Sequence, residues 1–291
     1  MSVYNGQQYL TEQLESILAQ KYVDTHIYIR DDGSVDKTFD ILTSYTERFK
    51  NISFHSGNNL GIKNSFITAL KSAPGHADYY AFSDGDDVWL PEKLASAIEA
   101  LEPKDTNIAQ GYCSQITLVD HKLQFIREGS RLKRDITFGN ALVECRMSGA
   151  TAVFNKTARD HIVELDHVAA VMHDAWANLI ICAMGEMHFD PQSHILYRQH
   201  ASNADGGQKA FKKLWQDRLK RQEEIEKYID QAKSLIEQCE SKLSKNQIED
   251  AISFIEIYRS FISRARFFIN SSVYYQNWKS KILSVLLLKQ S

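Results

Sequence analysis

Apolar residues in the first hundred positions follow two alternating spacings. Residues 7–20 place Leu10, Leu14 and Ile17 on one face of a helix, whereas residues 26–30, "HIYIR", form a short β-rich run. The alternation continues with helical spacing at 36–49, 64–73 and 91–101 and strand-like runs at 51–56 and 78–83. This βαβαβα order predicts an α/β fold with a mixed, mostly parallel sheet and helices on both faces.

The first strand and the start of the helix at 91–101 have distinctive sequences. Only the short stretch "MSVYNG" precedes the first helix, so the first strand is expected to be either very short or cut off by the start of the sequence. Pro91 suits the first turn of the helix predicted over 91–101, because a proline there costs no helical hydrogen bond.

The chain changes character twice after residue 110. Strand-like runs occur at 112–120, 149–155, 185–189 and 194–200, with a helix predicted over 175–184. Beyond Gly207 the sequence is charged, rich in glutamine and helical in spacing. We therefore predict one large domain over residues 1–206, with halves at 1–110 and 111–206, and a C-terminal all-helical appendage over 207–291.

The composition narrows the class of protein. With 291 residues, 43% of them hydrophobic, the chain can bury a substantial core, and its net charge of −3 argues against a nucleic-acid partner. The four cysteines are widely separated, which indicates a reducing, intracellular setting. The sequence shows no secretory leader, and its longest late apolar run, at 282–288, is too short to span a bilayer. We expect a cytoplasmic protein.

Acidic residues gather directly after two of the predicted strands, in "RDDGS" at 30–34 and "SDGDD" at 83–87. In a parallel sheet, ligands bind beyond the carboxyl ends of the strands. Clustered carboxylates there suit a hard divalent cation that also binds phosphate oxygens. The alternative is a charged turn that caps the following helix. An EF-hand is excluded, since counting from Asp84 places Trp89 and Ala95 where glycine and glutamate are required.

Seven segments in order carry a resemblance to a known family. The series resembles the family 2 glycosyltransferases with the Rossmann-like GT-A fold, over residues 1 to about 207, and within them a rhamnosyltransferase-like bacterial branch. The segments are "YNGQQYLTEQLESILAQ", "IRDDGSVDKT", "NNLGIKNSF", "FSDGDDVWLPEKL", "SGATAVFN", "MHDAW" and "YRQHASN". Their order is more specific than any one of them.

The resemblance implies a nucleoside-diphosphate sugar donor bound by the first half of the domain, with dTDP-rhamnose favoured over UDP-hexoses. Asp31 and Asp32 match the site of the nucleotide base, with Asp32 the preferred residue, and Asp84 matches a residue near the ribose or the metal. Ser2 and Tyr4 are placed at the same nucleotide-sugar site. The alternative for Asp31, and for Asp36, is a turn that caps the next helix.

The resemblance also implies Mn²⁺ or Mg²⁺ as cofactor. Asp86 matches the direct metal ligand, His200 a further contact to the metal or diphosphate, and Asp87 a supporting partner. Because imidazole suits Mn²⁺ better than Mg²⁺, His200 favours manganese. Arg198 is expected to pair with phosphate oxygens. Each could instead be an ordinary loop residue.

Asp174 matches the base that inverting members use to deprotonate the acceptor hydroxyl. Nearby apolar residues such as Trp176 would raise the pKa of its carboxyl toward the working pH. The alternative is a helix N-cap. The segment "SGATAVFN" resembles the strand that flanks the acceptor. Together these imply an inverting transfer of a sugar to a glycan or lipid-linked acceptor in bacterial surface polysaccharide synthesis.

The C-terminal region suggests that the protein binds its acceptor at a membrane surface. From Arg259 onward there are six basic residues, no acidic one and many aromatic or apolar residues, a composition suited to an anionic membrane surface. The inner face of the bacterial cell membrane is therefore a second expected location. The alternative is that these helices pack on the catalytic domain or form a dimer.

Two other classes of function compete. A haloacid dehalogenase-like, metal-dependent phosphatase also has acidic residues after a strand, but "YIRDDGSVDKT" lacks the order of its nucleophile motif. A non-catalytic nucleotide-sugar binding protein would retain Asp32 and Asp86 but would have no use for Asp174. Donor hydrolysis that survives Asp174→Ala unchanged would favour this class or indicate a different base.

Overall fold

A computed structural model of the chain describes residues 1–102, 105–200, 214–270, 272–280 and 282. The strands are β1 (Ser2–Val3), β2 (Ile27–Asp31), β3 (Ile52–Ser56), β4 (Tyr79–Ala81), β5 (Val88–Trp89), β6 (Ala109–Val119), β7 (Phe125–Glu128), β8 (Val153–Asn155) and β9 (Gly185–Arg198). The helices are α1 (Leu10–Leu18), α2 (Thr38–Arg48), α3 (Ile62–Ser72), α4 (Lys93–Leu101), α5 (Phe138–Ala141), α6 (Lys156–Glu164), α7 (His173–Met184), α8 (Leu214–Cys239), α9 (Lys245–Ile255) and α10 (Phe261–Ile269).

The first half folds as its apolar spacing predicts. α1 buries Leu10 and Leu14 completely against the sheet, where they meet Ile29 of β2 and Leu42 of α2 in one apolar cluster. Strands β1, β2 and β3 are parallel and lie in that order. The first strand is as short as expected, with two residues. The carboxyl ends of these strands therefore share one edge.

One helix boundary differs from the prediction. α4 begins at Lys93 with Glu92 as its N-cap, so Pro91 lies in the turn before the helix and not in its first turn. The residues before α4 are instead used in β5, which ends at Trp89. The prediction for Pro91 was wrong because it could not anticipate this short strand.

A second, mixed sheet carries the rest of the strands, in the order β4, β8, β6, β9, β5, with β7 paired to β6. Only β6 and β9 are parallel there, and the remaining pairs are antiparallel. The two runs predicted at 185–189 and 194–200 form one long strand, β9. Its pairing with β5 brings residues 86–89 beside the end of β9, which matters for the site below.

The C-terminal helices pack on the second half. Residues of α8, α9 and α10, among them Ile229, Phe254 and Phe267, join the same apolar cluster as Trp176 and Ile180 of α7. This packing is the alternative that the sequence left open. The predicted boundary at residue 206 lies outside the described residues. Among the described helices, none has the length and apolar character needed to cross a bilayer.

Candidate active site

The acidic loop after β4 is held against the end of β9. Val88 pairs with Leu196 across β5 and β9, and the backbone N–H of Arg198 donates to Oδ1 of Asp87 over 2.9 Å. Gly85 packs on Val3, and a Cβ at this glycine would lie 3.2 Å from Cγ2 of Val3. The loop therefore lies where β1 and β9 both end.

Asp86 and His200 meet at this edge. Oδ2 of Asp86 and Nε2 of His200 are 2.9 Å apart, and the Asp86 side chain remains 33% exposed. The His200 ring packs against Tyr9, with ring centres 4.9 Å apart. Two residues that are 114 positions apart in sequence thus converge as the sequence predicted.

The arrangement fits a divalent cation. Asp86 and His200 bring a carboxylate oxygen and an imidazole nitrogen to one point, and both are ligand types that Mn²⁺ accepts. Oδ2 of Asp87 is buried and has no hydrogen-bond partner among the described residues. Burial, together with the charges of Asp84 and Asp86, raises the pKa of Asp87 well above its usual range. A cation would relieve this crowding of charge.

The described residues contain no preformed group of three or more metal-ligating side chains. Asp86 and His200 would therefore supply two ligands, and the remaining positions would fall to substrate phosphates and water, the usual pattern for Mg²⁺ sites. The residues present therefore fit a metal site in which the substrate supplies several ligands. They do not fit a site in which protein side chains supply all of them.

Arg198 is engaged by protein groups around the loop. Its Nε donates to the carbonyl of Asp86 over 2.7 Å, one terminal nitrogen donates to the carbonyl of His121 over 2.9 Å, and the other pairs with Glu12. The guanidinium also lies 4.3 Å from the ring centre of Tyr9. At 1% exposure, Arg198 fixes the shape of the loop. Its predicted contact with phosphate stays a prediction.

Asp31 and Asp32 follow β2 as predicted, and both are buried. Oδ1 of Asp31 accepts from the backbone of Ser34, as the turn alternative predicts, and Oδ2 accepts from the hydroxyl of Ser56. The N-cap of α2 is Lys37, so the helix-capping part of that alternative was wrong for Asp31. Asp32 accepts from the backbone N–H groups of Leu60 and Gly61 at 2.9 and 3.0 Å.

Asp32 also forms an ion pair with buried Arg30 at 3.0 Å. The same arginine donates to the carbonyl of Asn58 over 2.7 Å. Asp32 therefore holds residues 58–61 over the end of β2. The base-binding role predicted for Asp31 and Asp32 stays a prediction.

Ser2, Tyr4 and Asp84 lie around the end of β1. The Ser2 hydroxyl is 2.6 Å from that of Ser65 on α3. Tyr4 follows the strand and is 54% exposed, so its ring is accessible to a ligand. Asp84 is half-buried, and its charge raises the pKa of Asp87. The fold thus gathers these three residues at one edge, while their contacts to a nucleotide stay predicted.

Asp174 lies in the first turn of α7. Met172 is the N-cap of this helix, so the N-cap alternative for Asp174 was wrong. Its Oδ2 accepts from the backbone N–H of Gly149 over 3.2 Å, and Oδ1 from that of Ala175 over 2.8 Å. Burial raises the pKa of Asp174, and these two hydrogen bonds only partly oppose the shift. A carboxylate with a raised pKa is a better general base near neutral pH.

Aromatic packing joins Asp174 to the acidic loop. His173 stacks on Phe66 with ring centres 3.9 Å apart and meets Phe82 edge-on at 4.9 Å. Phe82 comes two residues before Asp84 in the chain. Burial lowers the pKa of His173 to about 3, so its ring is neutral and acts in packing.

Helix α8 braces both segments that flank Asp174. The Tyr228 hydroxyl accepts from the backbone N–H of Cys145 over 2.8 Å, and Oε1 of Gln231 accepts from that of Val171 over 2.9 Å. Gln231 is fully buried. Sequence reasoning missed these supports because nothing local links α8 to residues 145–174.

Three further residues were missed. Tyr9 and Glu12 contact Arg198 from the start of α1, and their i, i+3 spacing was the available signal. Lys93 is fully buried, with its Nζ 3.5 Å from the ring centre of Trp89 and no hydrogen-bond partner among the described residues. Burial lowers the pKa of Lys93 to about 7 despite the attraction of Asp87.

Replacement of Gly149 by alanine is expected to lower transfer activity about tenfold or more. The new Cβ would lie 2.9 Å from Nε2 of His173 and 3.4 Å from Cβ of Asp174. Because His173 packs against Phe66 and Phe82, relief of the clash requires a shift of residue 149 or of the start of α7. Either shift changes the position of Asp174 relative to the backbone N–H of residue 149, and small displacements of reacting groups are costly. The measurement is kcat with saturating donor. An alanine at exposed Gly75, where the Cβ meets only the end of Arg159, is the control, and equal activity of the two variants would contradict the prediction.

Comparison with known proteins agrees with this fold. The profile of glycosyl transferase family 2 matches residues 1–158. The chain therefore belongs to glycosyl transferase family 2. A dTDP-rhamnosyl transferase, RfbG of Shigella flexneri, is 29% identical over 229 residues, which cover 73% of this chain and 75% of that protein.

A second relative is the UDP-Glc:alpha-D-GlcNAc-diphosphoundecaprenol beta-1,3-glucosyltransferase WfaP of Escherichia coli. It is 24% identical over 180 residues, covering 62% of this chain and 68% of that protein. Among solved structures, S. aureus TarS 1–349 in complex with UDP-GlcNAc superposes with a TM-score of 0.54 and 15% identity, covering 94% of this chain and 80% of that one. This similarity confirms the GT-A fold.

Proposed function

We propose that the protein is a metal-dependent, inverting glycosyltransferase that moves a sugar from a nucleoside-diphosphate donor to a glycan or lipid-linked acceptor. The observation that carries the proposal is the convergence of Asp86 and His200, 2.9 Å apart, where β1 and β9 end. A diphosphate bound through a cation suits this position, since parallel strands end there. Membership of glycosyl transferase family 2 supports the transfer of a glycosyl group.

The donor is proposed to be dTDP-rhamnose. The relative named as a dTDP-rhamnosyl transferase supports this choice, whereas WfaP and TarS are named with UDP-linked sugars. Asp32 is proposed to meet the nucleotide base, with Ser2, Tyr4 and Asp84 lining the nucleotide sugar. Mn²⁺ or Mg²⁺, held by Asp86 and His200, would neutralise charge developing on the departing diphosphate.

Asp174 is proposed to take the proton from the acceptor hydroxyl. The oxygen then forms a bond to the anomeric carbon as the bond to the diphosphate breaks on the opposite face, so the configuration inverts. The backbone N–H of Gly149 fixes the orientation of the carboxylate, and burial raises its pKa, which strengthens it as a base. This geometry also argues against a non-catalytic binding protein, which has no use for such a carboxylate.

The acceptor is proposed to be a growing surface polysaccharide, free or lipid-linked. WfaP is named for a diphosphoundecaprenol acceptor, which supports a lipid-linked substrate. A cytoplasmic location at the inner face of the bacterial membrane would bring the enzyme to it.

A thermal-shift screen of nucleotides tests the proposal. We expect dTDP, UDP or their sugars to raise the melting temperature in Mn²⁺ and to lose this effect in chelator, because a ligand of the folded state stabilises it by about 2.7 kcal/mol at 100 times its Kd. The same screen identifies the base and sugar. If no nucleoside diphosphate shifts melting in a metal-dependent manner, the proposal fails.

A further inference from the structure

Helix α10 exposes an apolar stripe. Phe261, Ile262, Phe268 and Ile269 are 84%, 70%, 49% and 79% exposed. Residues seven apart advance by about 700°, roughly 20° short of two turns, so the two phenylalanines lie on one line and the two isoleucines on another beside it. A helix of nine residues thus presents four large apolar side chains to solvent.

The opposite face of α10 fixes this orientation. Phe267 is fully buried and its ring lies 5.8 Å from that of Phe254 on α9. The hydroxyl of Ser260 accepts from the backbone N–H of Ser263 over 3.0 Å and caps the helix. The exposed stripe is therefore the outer face of an anchored helix.

Positive charge borders the stripe on both sides. At about 100° per residue, Arg264 and Arg266 each lie roughly 100° from the centre of the stripe, on opposite sides. Arg266 is exposed. Arginines in these positions can extend to phosphate groups while the apolar residues enter a hydrocarbon layer. α10 itself carries no acidic residue. The acidic residues of this region are Glu256, which pairs with Arg259, and Glu249 and Asp250, which line a groove with Arg266.

We infer that α10 is a docking surface for an anionic lipid bilayer. A second copy of the chain fits the surface less well, because a helix about 14 Å long is too short to bury the roughly 800 Å² per partner that a stable interface needs. The two arginines that border the stripe lie on a helix without acidic residues, and they would attract anionic lipid headgroups.

The surface belongs to the half of the molecule that carries Asp174. Gln247 of α9 donates to the carbonyl of Ala183 in α7 over 2.9 Å, and α9 in turn packs on α10. Docking through α10 would keep the acceptor half at the bilayer. A lipid-linked acceptor would then bind beside Asp174 at the bilayer surface. The inference therefore deepens the proposed function and rests on it.

Vesicle flotation of the full chain tests the inference. We expect at least tenfold more protein on vesicles of phosphatidylglycerol and phosphatidylethanolamine than on phosphatidylcholine vesicles, and a decrease when salt is raised. The double variant Phe261→Ser, Phe268→Ser is expected to lose at least tenfold in binding. The variant Arg266→Gln, which leaves the apolar stripe intact, is expected to lose about fivefold.

The matched control is the double variant Phe125→Ser, Ile126→Ser on β7, which is distant from α10 in sequence. These two side chains are also apolar and exposed, at 65% and 49%. This control is expected to bind vesicles like the unchanged protein. Equal binding to both vesicle types, or equal loss in the control and the α10 variant, overturns the inference. So does a concentration-dependent dimer in light scattering that the α10 double variant abolishes. Because the vesicles contain no donor or acceptor, failure here is distinct from failure of the nucleotide screen.

Discussion

Asp174→Asn is expected to lower kcat for glycosyl transfer by about 10² to 10⁴-fold, the range that a general base contributes. Asparagine keeps the size of the side chain and an oxygen that can accept from the backbone of Gly149, but it cannot take a proton. The donor should still bind, since Asp174 lies on α7 and not in the acidic loop. The measurements are kcat under saturating donor and the thermal shift with nucleotide.

The pH dependence of the unchanged enzyme follows from the same carboxyl. Because burial raises its pKa above the usual 3.8, activity should fall as pH decreases through that raised value, so the acid limb lies above pH 3.8. The folded state also holds this proton more tightly than the unfolded chain. Ionisation therefore reduces the free energy of unfolding as pH rises through the same window, and Asp174→Asn removes this cost at neutral pH.

The control for this substitution is Asp40→Asn, at an exposed residue in the first turn of α2. It should retain full activity and the same acid limb. Transfer by Asp174→Asn at more than a tenth of the normal rate would mean that another group removes the proton.

Asp86→Asn is expected to lower kcat/KM by about 10² to 10³-fold, comparable with removal of one group that stabilises developing charge. An amide oxygen is a much weaker ligand for a hard cation than a carboxylate, although it can still form the 2.9 Å contact with His200. The metal-dependent part of the nucleotide thermal shift should disappear. His200→Ala should weaken Mn²⁺ more than Mg²⁺.

The chain offers a chemically matched control. Asp190 and His194 form a carboxylate–imidazole pair at 3.0 Å within β9, with side chains 19% and 13% exposed. Asp190→Asn alters a second carboxylate–imidazole pair, which lies away from the strand ends where Asp86 and His200 meet. This variant should keep the same dependence of activity on metal as the unchanged enzyme. If both substitutions affect metal dependence equally, or if chelator does not inhibit the unchanged enzyme, Asp86 is not a metal ligand.

Much of the site could be located from the sequence because its residues follow strands. A buried strand and the turn after it are local features, so the positions of Asp31, Asp32, Asp84 and Asp86 at strand ends were predictable. The errors concern where helices begin, which is set in part by pairing with distant segments such as that of β5 with β9. Pro91 lies outside α4, and the N-cap of α7 is Met172.

The residues that support the site were missed for the same reason. Tyr228 and Gln231 of α8 accept from the backbone of Cys145 and Val171, in the segments that flank Asp174. Tyr9 contacts both Arg198 and His200. Each contact joins segments that are distant in sequence, and no spacing within one segment reveals its partner.

The order of helices and strands, the position of the acidic turns and the family resemblance were set by the amino-acid sequence itself, because apolar spacing and turn chemistry act over a few residues. The tertiary structure decided which side chains meet. Pairing of β5 with β9 brings Asp86 to His200, and packing of α7 beside Gly149 and α8 partly buries Asp174 and raises its pKa. Burial and the distance between charges depend on the whole packed chain, and these two quantities determine what a carboxylate can do.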